Sequence, residues 1–211
     1  MFDKNDIILF QGDSITDCGR NREDLSSLGV GYANILSSML LFEMPELNLT
    51  FYNKGISGNR IVDLYARFKE DGFNLKPSII SILIGVNDVW HEFSRSCGVE
   101  EDKFQKIYNI LLSEIKEKLP KTKLILLEPF VLEGNLPVGN YKDWVKVLGK
   151  RQEIVKNLAK EYDAAFVPLQ QAFDAAATVK EDTYWLYDGV HPTPAGHMLI
   201  AQNWLNAVGE L

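Results

Sequence analysis

Apolar residues fall along the chain in two rhythms. Short apolar runs at Ile7 to Phe10, Leu49 to Tyr52, Ser78 to Ile84, Leu124 to Leu127 and, more weakly, Ala165 to Val167 read as buried strands. The run SIISILI at 78–84 is the strongest of them, nearly continuous and β-branched, as in a parallel sheet covered on both faces. Between these runs the apolar positions recur every three or four residues. Tyr32, Ile35, Leu36, Met39 and Leu40 predict a helix within Gly29 to Leu41, ended by Pro45. Ile61, Leu64, Tyr65 and Phe68 predict a second, and Phe104, Ile107, Tyr108, Leu111, Leu112 and Ile115 a third over Asp102 to Leu119, stopped by Pro120. Further helices are predicted over Asp143 to Tyr162, Leu169 to Ala177 and Ala195 to Val208, with a Gly, Pro and Asn-rich loop between Phe130 and Tyr141 and an aromatic loop at Tyr184 to Tyr187.

Strand and helix therefore alternate, which predicts an α/β three-layer sandwich. About five parallel strands in the flavodoxin-like order 2-1-3-4-5 would carry helices on both faces, joined by right-handed crossovers. In that order the first and third strands flank the switch point of the sheet, and the loops beyond their carboxyl ends gather at one rim.

Composition narrows the class. A length of 211 residues suits one core, so a single domain over 1–211 is expected, and the 46% hydrophobic and 24% charged content is that of an ordinary globular chain. A net charge of −7 with dispersed Lys and Arg argues against nucleic acid as the main partner. The charged start, Met1 to Lys4, leads straight into the first strand, and no run of 18 apolar residues occurs, so a cytoplasmic protein with no membrane partner is expected. Cys18 and Cys97 are expected to be free thiols and match no metal-ligand spacing; no metal or cofactor is expected.

Candidate chemistry sits just past the strand ends. The first strand runs into Gly12, Asp13 and Ser14, a tight turn carrying a hydroxyl where a nucleophile would stand; Ser14 or Thr16 as a helix cap is the plain alternative. A serine needs a base, and the base a group to orient it. Among only three histidines, His191 lies in the loop DGVHP with Asp188 three residues before it, within reach of its Nδ1 hydrogen; a surface turn with an incidental acid is the plain alternative. His197 on the last helix reads as a packed or solvent-facing residue, and His91 as a neighbour of the pocket. Acyl transfer also needs donors for the oxyanion. The Ser14 amide, the Gly58 amide and the Asn87 side chain are candidates, although Gly58 also reads as a turn glycine and Asn87 as a left-handed residue after a strand.

The blocks GDSIT (12–16), NKGISGN (53–59), GVND (85–88) and DGVHP (188–192) resemble, in order, the four blocks of the SGNH or GDSL-type serine hydrolases. The resemblance spans 12–192 and implies Ser14 as nucleophile, His191 as general base and acid, Asp188 as the carboxylate orienting it, and Ser14, Gly58 and Asn87 as the oxyanion hole. The fuller stretches GDSITDCGR, LGVGY, IGVNDVW and PFVLEGN are similar to those of the intracellular acetyl xylan esterases. That similarity implies removal of acetyl groups from short xylo-oligosaccharides through an acyl-enzyme, and a large homo-oligomer. Trp90, Tyr184 and Trp185 would then suit stacking on sugar faces, and Arg60 the entrance of the pocket, each with a packing or solvated alternative.

Other classes fit less of the sequence. An α/β-hydrolase would need G-x-S-x-G after a mid-chain strand, and a nucleotide- or flavin-binding module a phosphate-cradling glycine loop; neither motif occurs. A thioesterase or lipase-like member acting on longer acyl chains would share the same blocks. A carbohydrate-binding module would have no use for Ser14, Asp188 and His191 together.

Overall fold

The computed structural model describes residues 2–136 and 138–209. Positions 1, 137, 210 and 211, which fall within the expected domain span and, for 137, within the expected 130–141 loop, lie outside the described residues. Five strands, β1 (Ile7–Gly12), β2 (Thr50–Asn53), β3 (Ile79–Leu83), β4 (Lys123–Leu127) and β5 (Ala165–Val167), form one sheet in the order β2-β1-β3-β4-β5. All four pairings are parallel, so the expected α/β architecture and strand order hold. The helices are α1 (Ser14–Asp17), α2 (Tyr32–Glu43), α3 (Ile61–Asp71), α4 (Val86–Arg95), α5 (Glu101–Lys118), α6 (Tyr141–Glu161), α7 (Leu169–Ala177), α8 (Asp182–Trp185) and α9 (Pro194–Gly209).

Side chains alternate across a strand, and here both faces are apolar, so each strand feeds two cores. Ile8, Phe10, Ile79, Leu83, Ile125 and Leu127 point to one face, under α2, α7 and α9. Leu9, Ile80, Ile82, Leu124 and Leu126 point to the other, under α3 and α5. Helix α6 serves both, with Trp144 and Leu148 in the first core and Ile154, Val155 and Leu158 in the second. The one hydroxyl within β3, Ser81, is fully buried and accepts the indole N–H of Trp204 at 3.0 Å, so its burial is compensated.

Two segments differ from the sequence reading. Residues 86–95, where the sequence reading assigned no helix and took Asn87 as a residue of a turn, form the ten-residue helix α4. Val86, Val89, Trp90 and Phe93 stand at i, i+3, i+4 and i+7, a helical stripe obscured by the Gly-Val-Asn-Asp at its start. The aromatic loop holds a single helical turn, α8, because Glu181 and Asp182 start a turn that Leu186 closes onto the Asp182 carbonyl. Both cysteines are free, as expected. Among the described residues no helix is long and apolar enough to cross a membrane.

Candidate active site

Strand β1 ends where its backbone is pressed against β3. A Cβ on Gly12 would lie 2.4 Å from the Leu83 carbonyl and 2.3 Å from Thr16 Oγ1, so only glycine fits there. The next residue, Asp13, caps α1 by accepting the Ile15 amide at 3.0 Å, which removes the capping role considered for Ser14 and Thr16. Thr16 instead meets the Tyr32 hydroxyl at 2.9 Å. Ser14 is thus the first residue of a one-turn helix, and its amide is among the N–H groups that such a helix leaves without an intrahelical partner.

Across this turn, Ser14 Oγ stands 2.9 Å from His191 Nε2, and His191 Nδ1 stands 2.8 Å from Asp188 Oδ2. Asp188 Oδ1 accepts the backbone amides of Val190 at 3.1 Å and His191 at 2.8 Å, so the carboxylate is fixed by its own loop. An antiparallel bridge between Leu186 and Pro192 closes that loop, with the Tyr187 amide donating to the His191 carbonyl at 2.8 Å. Burial pushes the Asp188 carboxyl up, but the His191 ring and the two amides hold it below the usual range. The hydrogen bond to Asp188 raises His191 above its ordinary value, with help from the charges of Asp188 and Asp13 and against partial burial. With Nδ1–H donated to an ionised Asp188, the Nε2 lone pair faces the serine hydroxyl, the arrangement a general base requires.

The loop carrying Gly58 is stitched onto the serine turn. Asn53 Nδ2 donates to the carbonyls of Thr16 at 2.6 Å and Leu28 at 2.8 Å, while its Oδ1 accepts the Gly55 amide. Asp17 Oδ2 takes the Ser57 amide at 3.0 Å, its hydroxyl at 3.1 Å and Arg22 at 2.6 Å. The turn closes from the Asn59 amide to the Ile56 carbonyl at 3.1 Å. Gly58 has φ +83 there, and an added Cβ would meet nothing within 4 Å, so the backbone conformation asks for glycine and the face beside its amide is open.

Asn87 lies in the first turn of α4, which rules out the left-handed reading; Gly85, at φ +131, takes that strain instead. One side-chain N–H of Asn87 goes to the Asn59 carbonyl at 3.2 Å, and an amide nitrogen carries two. Asp13 and Asp88 are both fully buried behind this rim. Burial pushes each carboxyl up to about 7. For Asp13 the Ile15 amide and the charge of His191 oppose that rise, and the nearby Asn87 amide adds to them although no hydrogen bond of normal geometry forms: Oδ2 is buried without a partner.

The sequence's other candidates are scattered around this centre. The ring of Trp90 lies 5.5 Å from that of His191 and packs edge-on against Trp144. Tyr184 and Trp185 form an edge-to-face pair, and their carbonyls hold Thr193 just past the histidine loop, leaving Tyr184 half exposed. Arg60 spends all three guanidinium nitrogens on Asp63 and the Cys97 carbonyl, at the start of α3. His197 is buried, accepts the Tyr32 amide at 3.2 Å and faces Cys18 Sγ at 3.3 Å; burial holds it down at about 4. His91 is half-buried on α4 beside Arg95, Arg60 and Asp63, its pKa lowered chiefly by burial. Among the described residues no group of three or more His, Cys, Asp or Glu side chains gathers as metal ligands. Asp13, Asn59 and Arg67 carry contacts that the sequence reading did not assign; only Asp13 had a local signal, as a cap-forming residue type beside the caps considered at Ser14 and Thr16.

Residues 10–199 match the GDSL-like Lipase/Acylhydrolase family. The chain is 37% identical over 208 residues to the acetylxylan esterase of Geobacillus stearothermophilus, covering 96% of this chain and 93% of that one. Its structure superposes on a GDSL-like lipase of Parabacteroides merdae with TM-score 0.95 at 37% identity, covering 99% and 98% of the two chains. On the Geobacillus acetylxylan esterase Axe2 the TM-score is 0.90 at 34% identity, covering 99% and 96%. Two further structures of Axe2 are of catalytic mutants, in one of which a serine and in the other an aspartate is replaced by alanine.

Proposed function

The chain belongs to the GDSL-like lipase/acylhydrolase family, and from that membership we propose that it is a serine esterase removing acetyl groups from short xylo-oligosaccharides. The observation that carries this reading is the relay Ser14 Oγ to His191 Nε2 at 2.9 Å and His191 Nδ1 to Asp188 Oδ2 at 2.8 Å. In this reading His191 takes the Ser14 proton as Oγ attacks the acetyl carbonyl carbon. The oxyanion that forms is met by the amides of Ser14 and Gly58 and by the Asn87 N–H not committed to Asn59. Collapse expels the sugar oxygen, which receives the proton from His191 and leaves Ser14 acetylated; water activated by the same imidazole then releases acetate.

Trp90 beside His191, and Tyr184 and Trp185 across the histidine loop, are the aromatic faces on which a sugar ring would stack. Action within the cell and assembly into a homo-oligomer belong to the same reading. Phe42 at 86% and Val30 at 76% exposure are apolar surface that a second copy would cover.

The test is release of acetate from acetylated xylo-oligosaccharides, compared with p-nitrophenyl acetate, butyrate and octanoate, by the wild type and Ser14→Ala. Acetyl esters should be preferred, and the variant should lose on the order of 10⁴-fold or more in turnover while melting as the wild type does. Octanoate preference would overturn the substrate, and an active Ser14→Ala the nucleophile.

A further inference from the structure

Arg67 lies on α3 with its side chain 15% exposed, and its guanidinium fans out to four acceptors. Nε donates to Asn59 Oδ1 at 2.7 Å, Nη1 to Gln11 Oε1 and Asp71 Oδ2 at 3.0 Å each, and Nη2 to the Gly12 carbonyl at 3.2 Å. Two of those acceptors matter for the chemistry. Gly12 is two residues before Ser14, at the end of β1. Asn59 directly follows Gly58, and its own carbonyl accepts the Asn87 side chain at 3.2 Å. We propose that Arg67 is a positioning residue for the oxyanion hole, setting the distance between the strand end that presents Ser14 and the Asn59 carbonyl that aims Asn87. This rests on the serine-esterase reading above, in which Asn87 is an oxyanion donor.

The guanidinium is the group that can do this. Its planar fork fixes two acceptors on different segments in one rigid geometry, whereas a lysine ammonium is a single flexible point charge. The backbone ties the loop to the strand end one step earlier, the Gly12 carbonyl taking the Ile56 amide and the Ile56 carbonyl the Asn59 amide at 3.1 Å each, and Asp17 holds Ser57; Arg67 adds the side-chain brace that reaches Asn59 itself. Loss of Arg67 therefore leaves the Gly58 turn attached and loosens the Asn59 end. Asp71 also keeps a second cation, Lys54 at 3.2 Å, so the fold does not depend on Arg67 to neutralise it.

The experiment is a double-mutant cycle of Arg67→Lys and Asn87→Ala, with kcat and KM for p-nitrophenyl acetate and melting temperature measured for all four proteins. Removing an oxyanion donor costs about 10²- to 10³-fold in kcat, and misaiming one should cost about tenfold or more. The expected result is that Arg67→Lys lowers kcat by that tenfold or more with KM little changed, and adds nothing in the Asn87→Ala background. Unchanged kcat in Arg67→Lys, or losses that simply add, would overturn the positioning role. Full kcat in Asn87→Ala would instead overturn the oxyanion assignment, and the proposal with it. Should Arg67→Lys fail to fold, Asn59→Ala cuts the same link while leaving the Arg67 bonds to Gln11, Asp71 and Gly12 in place. It should then show the same kcat loss and the same lack of additivity, and wild-type kcat in Asn59→Ala would overturn the proposal.

Discussion

Asp188 holds His191 twice: one carboxylate oxygen accepts the histidine's backbone amide at 2.8 Å and the other faces its ring Nδ1 at 2.8 Å. The first contact anchors the loop and the second chooses the tautomer, so the two can be separated by mutation.

In Asp188→Asn the carbonyl oxygen can keep the two amides of Val190 and His191, which leaves the NH₂ facing Nδ1. The ring must then carry its proton on Nε2, where it no longer accepts one from Ser14. Turnover of p-nitrophenyl acetate should fall on the order of 10⁴-fold, as the same change does in the Ser-His-Asp triad of serine proteases, with melting close to wild type. A loss below about tenfold would mean that Asp188 does not orient the base.

Two glycines should fail in opposite ways when changed to alanine. At Gly58 the space is open but φ is +83, so Gly58→Ala should fold with a loss of about 1–2 kcal/mol and a lower kcat, because relaxing the strain turns the amide. At Gly12 the added methyl meets the Leu83 carbonyl, and Gly12→Ala should give little folded protein. Chemical denaturation of each variant with its kcat decides; a Gly58→Ala enzyme of wild-type kcat would remove that amide from the oxyanion hole.

As the proposed base His191 must be neutral to accept a proton, and its pKa is raised above 6.5 by Asp188 first and by Asp13 as well. The kcat/KM profile should therefore fall as pH drops through a value above 6.5. Asp13 itself ionises only near 7, so it is charged over part of that range; Asp13→Asn keeps an oxygen for the Ile15 amide and deletes that partial charge, so the acid limb should move modestly to lower pH. An unmoved limb would show that Asp13 exerts no field on the base.

Asp88 is fully buried and its carboxyl is pushed up to about 7, so the folded state holds its proton while the unfolded chain loses it from about 3.8 upward. The native state binds more protons across that window, and stability from this group falls as pH rises through it, by an amount on the order of a few kcal/mol. Asp88→Asn can still accept the Ile61 amide and cannot ionise. Denaturant midpoints at pH 5 and pH 8 should differ less in the variant than in the wild type; an equal difference would assign the effect to other groups.

The sheet was legible because it is buried on both sides: SIISILI has few alternatives to a central strand, and Ala165 to Val167 stands where the alternation requires one. The meeting of Ser14, Asp188 and His191 was legible because their blocks are short and local. Helix α4 was misread because turn-like residues, Gly85 to Asp88, occupy its start, and the stripe from Val86 to Phe93 only makes sense once those are allowed inside a helix. The contacts of Arg67 could not be read at all. A sequence shows that an arginine lies 55 residues after Gly12, but not which carbonyl a folded guanidinium will find.

Chain order divides the rim into two unequal lots. Ser14, Gly58 and Asn87 all belong to β1, β2 and β3 and the turns that follow them, whereas Asp188 and His191 arrive only after β5. A ribosome therefore delivers every proposed oxyanion donor about a hundred residues before the proposed base, and on that reading a nascent chain carries an inert serine until its final loop docks. The same division offers a seam: two separately made pieces, parted in the exposed 133–135 segment, would each be silent and would regain turnover only by reassembling the parallel sheet.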